Sequence, residues 1–122
     1  MAKKIMIVDD DPVIVRYLTS IFSDNGYETC SASDGLKAME VLQREKPNLI
    51  TLDLEMPDEW GPRFYRKYAK LPEYSDLPVI VISGLPGKQH AIRSVVASLG
   101  KPFDPDKLMG HVRRAIGDPD QN

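Results

Sequence analysis

The chain carries one cysteine, two histidines and no apolar run of membrane length. A lone Cys30 cannot close an internal disulfide, and it fits a reducing compartment. His90 and His111 have no acidic or thiol partner nearby and are expected at the surface. A membrane helix needs roughly 20 consecutive apolar residues, far more than any run present. The opening Met-Ala-Lys-Lys leads straight into a strand-like run, so no signal-peptide core is read there. A soluble, cytoplasmic chain is the expectation. Charge of one sign is lacking too, with 16 basic against 18 acidic residues and a net charge of −2. No global basic field therefore points to nucleic acid or anionic lipid. Aromatics make up only 7%. Trp60, Phe64, Tyr65 and Tyr68 gather on one predicted helix, where no basic stripe is read among them, so they do not read as a stacking platform for bases.

What is present is a core. At 122 residues with 42% hydrophobic content, the chain can close one hydrophobic interior. Lys4 to Val8 reads as a buried strand. From Pro12, apolar residues at Ile14, Tyr17, Leu18, Ile21 and Phe22 follow a helical period that stops near Asn25-Gly26. Tyr27 to Ser31 reads as a weaker second strand. Asp34 can cap a second helix with Ala38, Met39 and Leu42 inward, ending before Pro47. Asn48 to Leu52 is a third strand, and Gly61-Pro62 opens a third helix with Phe64, Tyr68 and Leu71 on one face. Leu77 to Ser83 is the clearest strand. Residues 85 to 100 fit either a helix face or a short strand at 95 to 99, and periodicity alone leaves both open. Asp104-Pro105 starts a last helix, lined by Leu108, Val112, Ala115 and Ile116. Residues 1–117 are expected to form the domain, with 118–122 a frayed polar tail.

Alternating strands and helices imply a doubly wound α/β fold with a parallel sheet, whose ligand site lies at the carboxyl ends of the strands. Asp9, Asp10 and Asp11 follow the first strand, Asp53 ends the third, Ser83-Gly84 ends the fourth, and Lys101 lies in a further loop. Carboxylates about 5 Å apart repel by roughly 3 kcal/mol per pair at an effective dielectric near 20. Asp11, directly before Pro12, reads as a helix cap. Clustered oxygen ligands without thiolate or imidazole suit a hard cation, and Mg²⁺ would relieve the repulsion. An ionised aspartate beside it can attack phosphorus to give an aspartyl phosphate. Ser83, the unshielded amide of Gly84 and Lys101 are suited to hold the transferred group.

The runs IMIVDDDP, LITLDLEMPDEWG, LPVIVISG and GKPFDPDKL resemble the receiver domain of two-component response regulators, over essentially the whole chain. The resemblance implies a flavodoxin-like five-stranded sheet of order 2-1-3-4-5. It also implies a Mg²⁺-dependent phosphoacceptor role for Asp53, with the phosphoryl group coming from a sensor histidine kinase or phosphotransfer protein. Asp10 is similar to the direct Mg²⁺ ligand and Asp9 to its neighbour acting through water. Glu55 stands where the family offers a backbone carbonyl to the metal, its carboxylate flanking the site together with Leu85. Ser83, Gly84 and Lys101 match the phosphoryl-holding groups. Signalling would pass to a downstream protein by contact, with no nucleic acid or membrane engaged by this domain.

Two departures stand out. Ser83 and Lys101 are 18 positions apart, fewer than the family usually shows, so the 85–100 region is shortened. Ser98 occupies the place, three residues before the lysine, where the family usually has an aromatic switch. An enzyme reading, a small Mg²⁺-dependent phosphatase, is imitated by Asp53-Leu54-Glu55, but no cap or substrate pocket is legible and Glu is too long for the general acid. A flavin reading fails on the acidic first loop, which should be rich in glycine and hydroxyl groups to cradle phosphate. A receiver-like scaffold that binds its partner regardless of phosphorylation is the third alternative.

Overall fold

The computed structural model describes residues 2–57, 60–83 and 103–120, and the backbone of 95–100. The elements in chain order are β1 (Lys4–Val8), α1 (Pro12–Asp24), β2 (Glu28–Ala32), α2 (Gly35–Glu45) and β3 (Leu49–Asp53). They continue as α3 (Trp60–Ala69), a 3₁₀ turn (Pro72–Tyr74), β4 (Val79–Ser83), β5 (Val95–Gly100) and α4 (Pro105–Ile116). The five strands form one parallel sheet of order β2-β1-β3-β4-β5, as the resemblance implies. The central strands are buried on both faces, which is why they read as near-continuous apolar runs, interrupted by the buried Thr51. One face packs α2 and α3 through Ala38, Leu42, Phe64 and Tyr68. The other packs α1 and α4 through Leu18, Phe22, Leu108 and Val112. Each fully buried Leu, Val or Phe among them contributes about 1.5–3 kcal/mol of transfer free energy.

Aspartate caps start three helices. Asp11, Asp34 and Asp104 accept from the backbone N–H groups of Val13, Lys37 and Asp106 at 2.9, 2.8 and 2.9 Å. Proline follows Asp11 and Asp104 directly, where its missing N–H is no loss.

Several boundaries differ from the sequence reading. β2 starts at Glu28 because the Tyr27 N–H still bonds back to Phe22 at the exit of α1. The Tyr27 hydroxyl reaches the carbonyl of Gly117 at 2.6 Å. β3 runs one residue later than expected, so Asp53 itself is a strand residue paired with Ile82. Pro78 has no N–H for a ladder, and β4 begins after it. α3 begins at Trp60 and ends at Ala69, leaving Leu71 to start the 3₁₀ turn. Val95–Gly100 is a strand, so its helical reading is overturned by pairing with β4. Positions 85–94 lie outside the described residues. Within the stretch expected to fray, the Pro119 carbonyl accepts from the Lys3 N–H at 2.9 Å, and just before it the carbonyl of Ile116 accepts from the Lys3 ammonium; residues 121 and 122 lie outside the described residues. No helix among the described residues is long and apolar enough to cross a membrane.

Candidate functional site

The parallel register brings the carboxyl ends of β1, β3 and β4 to one edge of the sheet, since Val8 pairs Leu52 and Asp53 pairs Ile82. Asp9, Asp10 and Asp53 each offer a carboxylate oxygen there, all within 4.8 Å of one another. Asp9 and Asp53 are buried, only 2% and 3% exposed, whereas Asp10 faces solvent. At this spacing ionised carboxylates repel by roughly 3 kcal/mol per pair in a dielectric near 20. The cluster is therefore expensive unless a cation shares it, and three hard oxygen donors fit Mg²⁺.

The loops fold to hold these oxygens in place. Asp9 Oδ1 accepts from the Asp11 N–H at 2.9 Å, and the Asp9 N–H reaches the carbonyl of Ala32 at 3.2 Å. Asp53 Oδ1 accepts from the Glu55 N–H at 3.0 Å. Asp11 is apart from the cluster, its carboxylate engaged at the cap of α1. Gly61 completes the floor: a Cβ at that position would stand 2.5 Å from the Asp53 carbonyl oxygen. The first turn of α3 thus rests directly on the backbone of Asp53, which only a glycine permits.

Ser83, at the end of β4, is buried, and its hydroxyl donates to Oε1 of Glu55 at 2.7 Å. The Glu55 carboxylate is therefore bound to a hydroxyl the sequence had placed at the site, a contact that spacing could not reveal across 28 positions. Gly84, Leu85 and Lys101 lie outside the described residues. Beside the acidic edge, Val13 and Tyr17 stand exposed on α1, and the ring of Tyr17 meets that of Phe103 at 5.8 Å. Sequence reasoning missed this apolar surface because Tyr17 falls in register with the inward face of α1. A groove of about 490 Å³ leads from Asp9 and Asp10 between α1 and α2, past Arg16 and Lys37.

Away from the site, Cys30 lies in β2, half-buried, and burial pushes its thiol up to about 11. Burial likewise pushes the phenol of Tyr68 above its usual range, and that hydroxyl has no hydrogen-bond partner among the described residues.

A doubly wound parallel α/β domain binds its ligands outside the carboxyl ends of its strands, and the acidic triad stands there. A family model described as the response regulator receiver domain matches residues 5–113. The chain belongs to that family. Protein Rrf1 of Nitratidesulfovibrio vulgaris is 36% identical over 116 residues, covering 95% of this chain and 84% of that protein. Sporulation initiation phosphotransferase F of Bacillus subtilis is 29% identical over 121 residues, covering 95% of each. The chain spans only 48% of the probable transcriptional regulator ycf27 of Porphyridium aerugineum, at 34% identity. Among solved structures, the receiver domain of a Pseudomonas aeruginosa sensor histidine kinase shares the fold, with a TM-score of 0.85 at 23% identity. That match covers 97% of this chain and 100% of the other, whose active-site cleft coordinates a magnesium ion.

Proposed function

We propose that this receiver domain, residues 1–117, is a cytoplasmic phosphorylation switch. It takes a phosphoryl group onto Asp53 from a histidine kinase or phosphotransfer protein and signals through protein contact. The single observation that carries this reading is the convergence of Asp9, Asp10 and Asp53 within 4.8 Å at the strand ends of a receiver-family chain. Asp10 and Asp53, with the backbone carbonyl of Glu55, would hold Mg²⁺ directly, and Asp9 would act through water. The bound cation would supply charge neutralisation for the cluster and for the oxygens of the transferring group.

The rest of the chemistry belongs to the chain. An Asp53 carboxylate oxygen attacks phosphorus in line with the phosphohistidine P–N bond; the new O–P bond forms as the P–N bond breaks. Its electron pair leaves with the imidazole nitrogen; the donor ring, protonated on its other nitrogen, departs as neutral imidazole, so no proton is needed from this domain. Ser83, the Gly84 amide and Lys101 then hold the three phosphoryl oxygens. Water later cleaves the aspartyl phosphate and restores Asp53. The domain catalyses only its own phosphorylation and dephosphorylation, with no other substrate. The exposed Val13 and Tyr17, with Phe103 beside them, give the phosphodonor an apolar resting place at the acidic edge.

Acetyl phosphate with Mg²⁺ should add one phosphoryl mass to the intact protein, and Asp53→Asn should abolish the adduct. Native protein without an adduct, or a variant that keeps it, would overturn the assignment. Sustained turnover of ordinary phosphomonoesters would instead favour the phosphatase reading.

A further inference from the structure

We propose that the groove between the first turn of α2 and the length of α3 docks an acidic peptide segment of a partner protein, one that sets an apolar side chain between carboxylates. The groove measures about 380 Å³, at the small end of ligand-sized clefts. That volume suits one or two side chains better than a cofactor. Its apolar part is formed by Trp60 and Phe64, with Leu36 at the lip, 68% exposed. Leu36 is one of only three large hydrophobic residues exposed among those described, and the other two stand on α1.

Its rim is cationic. Arg63, Arg66, Lys67 and Lys70 line the groove and are all exposed. Their spacing of i, i+3, i+4 and i+7 puts them on one side of a helical turn pattern. The absence of a basic stripe, expected from the sequence, is thus corrected: one runs beside the aromatics of α3. Among the described residues, none of the four takes part in an ion pair and no acidic one lines the groove. Four exposed cations gathered on one side of a helix, in a chain of net charge −2, are a local patch of the opposite sign to the whole. Charge complementarity selects an acidic ligand, and Leu36 with Trp60 selects an apolar residue within it.

Trp60 also argues against nucleic acid as the occupant. A Cβ at Gly35 would stand 2.1 Å from the Trp60 ring, so the ring lies hard against the start of α2. One side of it is taken up by packing, whereas single-strand binders offer successive free aromatic faces to bases. None of the groove residues belongs to the Asp9, Asp10 and Asp53 cluster, so docking is measurable without phosphorylation.

Trp60 is the only tryptophan, which makes its emission a reporter of this groove. The probe is a short peptide repeating Glu-Leu-Asp-Glu, titrated into the intact protein, against a control repeating Lys-Leu-Asn-Lys. A saturable emission shift with the acidic peptide alone, weakening as salt screens it, is expected. Arg66→Glu combined with Lys67→Glu should weaken the midpoint on the order of tenfold, and Leu36→Asn should weaken it further. If the charge reversals disturb folding, as read by circular dichroism, Arg66→Gln with Lys67→Gln replaces them with the same expected direction. No shift at millimolar peptide, or an equal midpoint in the charge variants, overturns the proposal. So does a single-stranded RNA that displaces the peptide and gives the same shift.

Discussion

Ser83, at the end of β4, and Glu55, two residues past the end of β3, meet through a 2.7 Å hydrogen bond in which the hydroxyl donates to the carboxylate. A hydrogen bond to an ionised acceptor is worth about 1.5–3 kcal/mol, so the contact is not easily ignored. In the proposed mechanism the same hydroxyl must turn to a phosphoryl oxygen, and it has only one proton to donate. Glu55 therefore competes with the phosphoryl group for Ser83, and its charge also repels that group. Glu55→Ala is expected to raise the initial rate of phosphorylation by acetyl phosphate on the order of tenfold, followed by intact mass against time. In a Ser83→Ala background the same change should bring a much smaller gain, because the shared partner is gone. An equal gain in both backgrounds would leave only the charge effect.

Gly61 ties the fold to the site. With a Cβ 2.5 Å from the Asp53 carbonyl oxygen, Gly61→Ala forces either α3 or β3 to move. Overpacking of this kind costs about 1–3 kcal/mol. The stability loss should be visible as a lower urea midpoint, and phosphorylation of Asp53 should slow with it. Substitution at Gly110, where a Cβ would meet only the flexible guanidinium of Arg114 at 3.5 Å, should do neither.

The parts of this molecule that were legible in its sequence are those set by local chemistry. Buried parallel strands need apolar residues on both faces, so β1, β3 and β4 stood out as near-continuous apolar runs. Asp-Pro ahead of an apolar helical period marks a helix start, and Asp11 and Asp104 do cap, whereas Asp118-Pro119, with no such period after it, lies in a turn. The strand-end rule then placed Asp9, Asp10 and Asp53 together, and they are together. What escaped depended on partners distant in the chain. Val95 to Leu99 fits two periods equally well, and hydrogen bonding to β4 decides for strand. The Glu55 to Ser83 bond needs the register of β3 on β4 before it can exist. The cations of α3 were overlooked because the apolar period of that helix drew attention to its inner face.

Cys30 yields a pH prediction. Burial, reinforced by the nearby Glu45 carboxylate, pushes its thiol up to about 11. Because the thiolate is the nucleophile, only about one molecule in a thousand is reactive at pH 8. Alkylation by iodoacetamide should be slow there, rise about tenfold per pH unit and level off near pH 11. Unfolding in urea should bring it back towards the rate of a free thiol, whose pKa is about 8.5. The sign for stability follows from the raised folded value. The contribution is present in full below about 8.5 and is lost as pH climbs towards 11, so the urea midpoint should fall across that window. A thiol that reacts at the same rate folded and unfolded at pH 8 would refute the burial effect.

The three consecutive aspartates make the sharpest comparison. Asp10 shares the 4.8 Å cluster with Asp9 and Asp53, while Asp11 spends its carboxylate on the Val13 N–H at the start of α1. Asparagine caps a helix about as well as aspartate, so Asp11→Asn should change stability by no more than a few tenths of a kcal/mol. Asp10→Asn removes a charge from the proposed metal set and also relieves repulsion among the remaining acids. It should therefore weaken Mg²⁺ binding by at least tenfold in titration calorimetry, yet leave the metal-free domain as stable or slightly more so. That opposition of signs separates a ligand from a structural acid. Should both variants lose the metal equally, the division of labour between Asp10 and Asp11 would be wrong, and the cap of α1 would itself be part of the metal site.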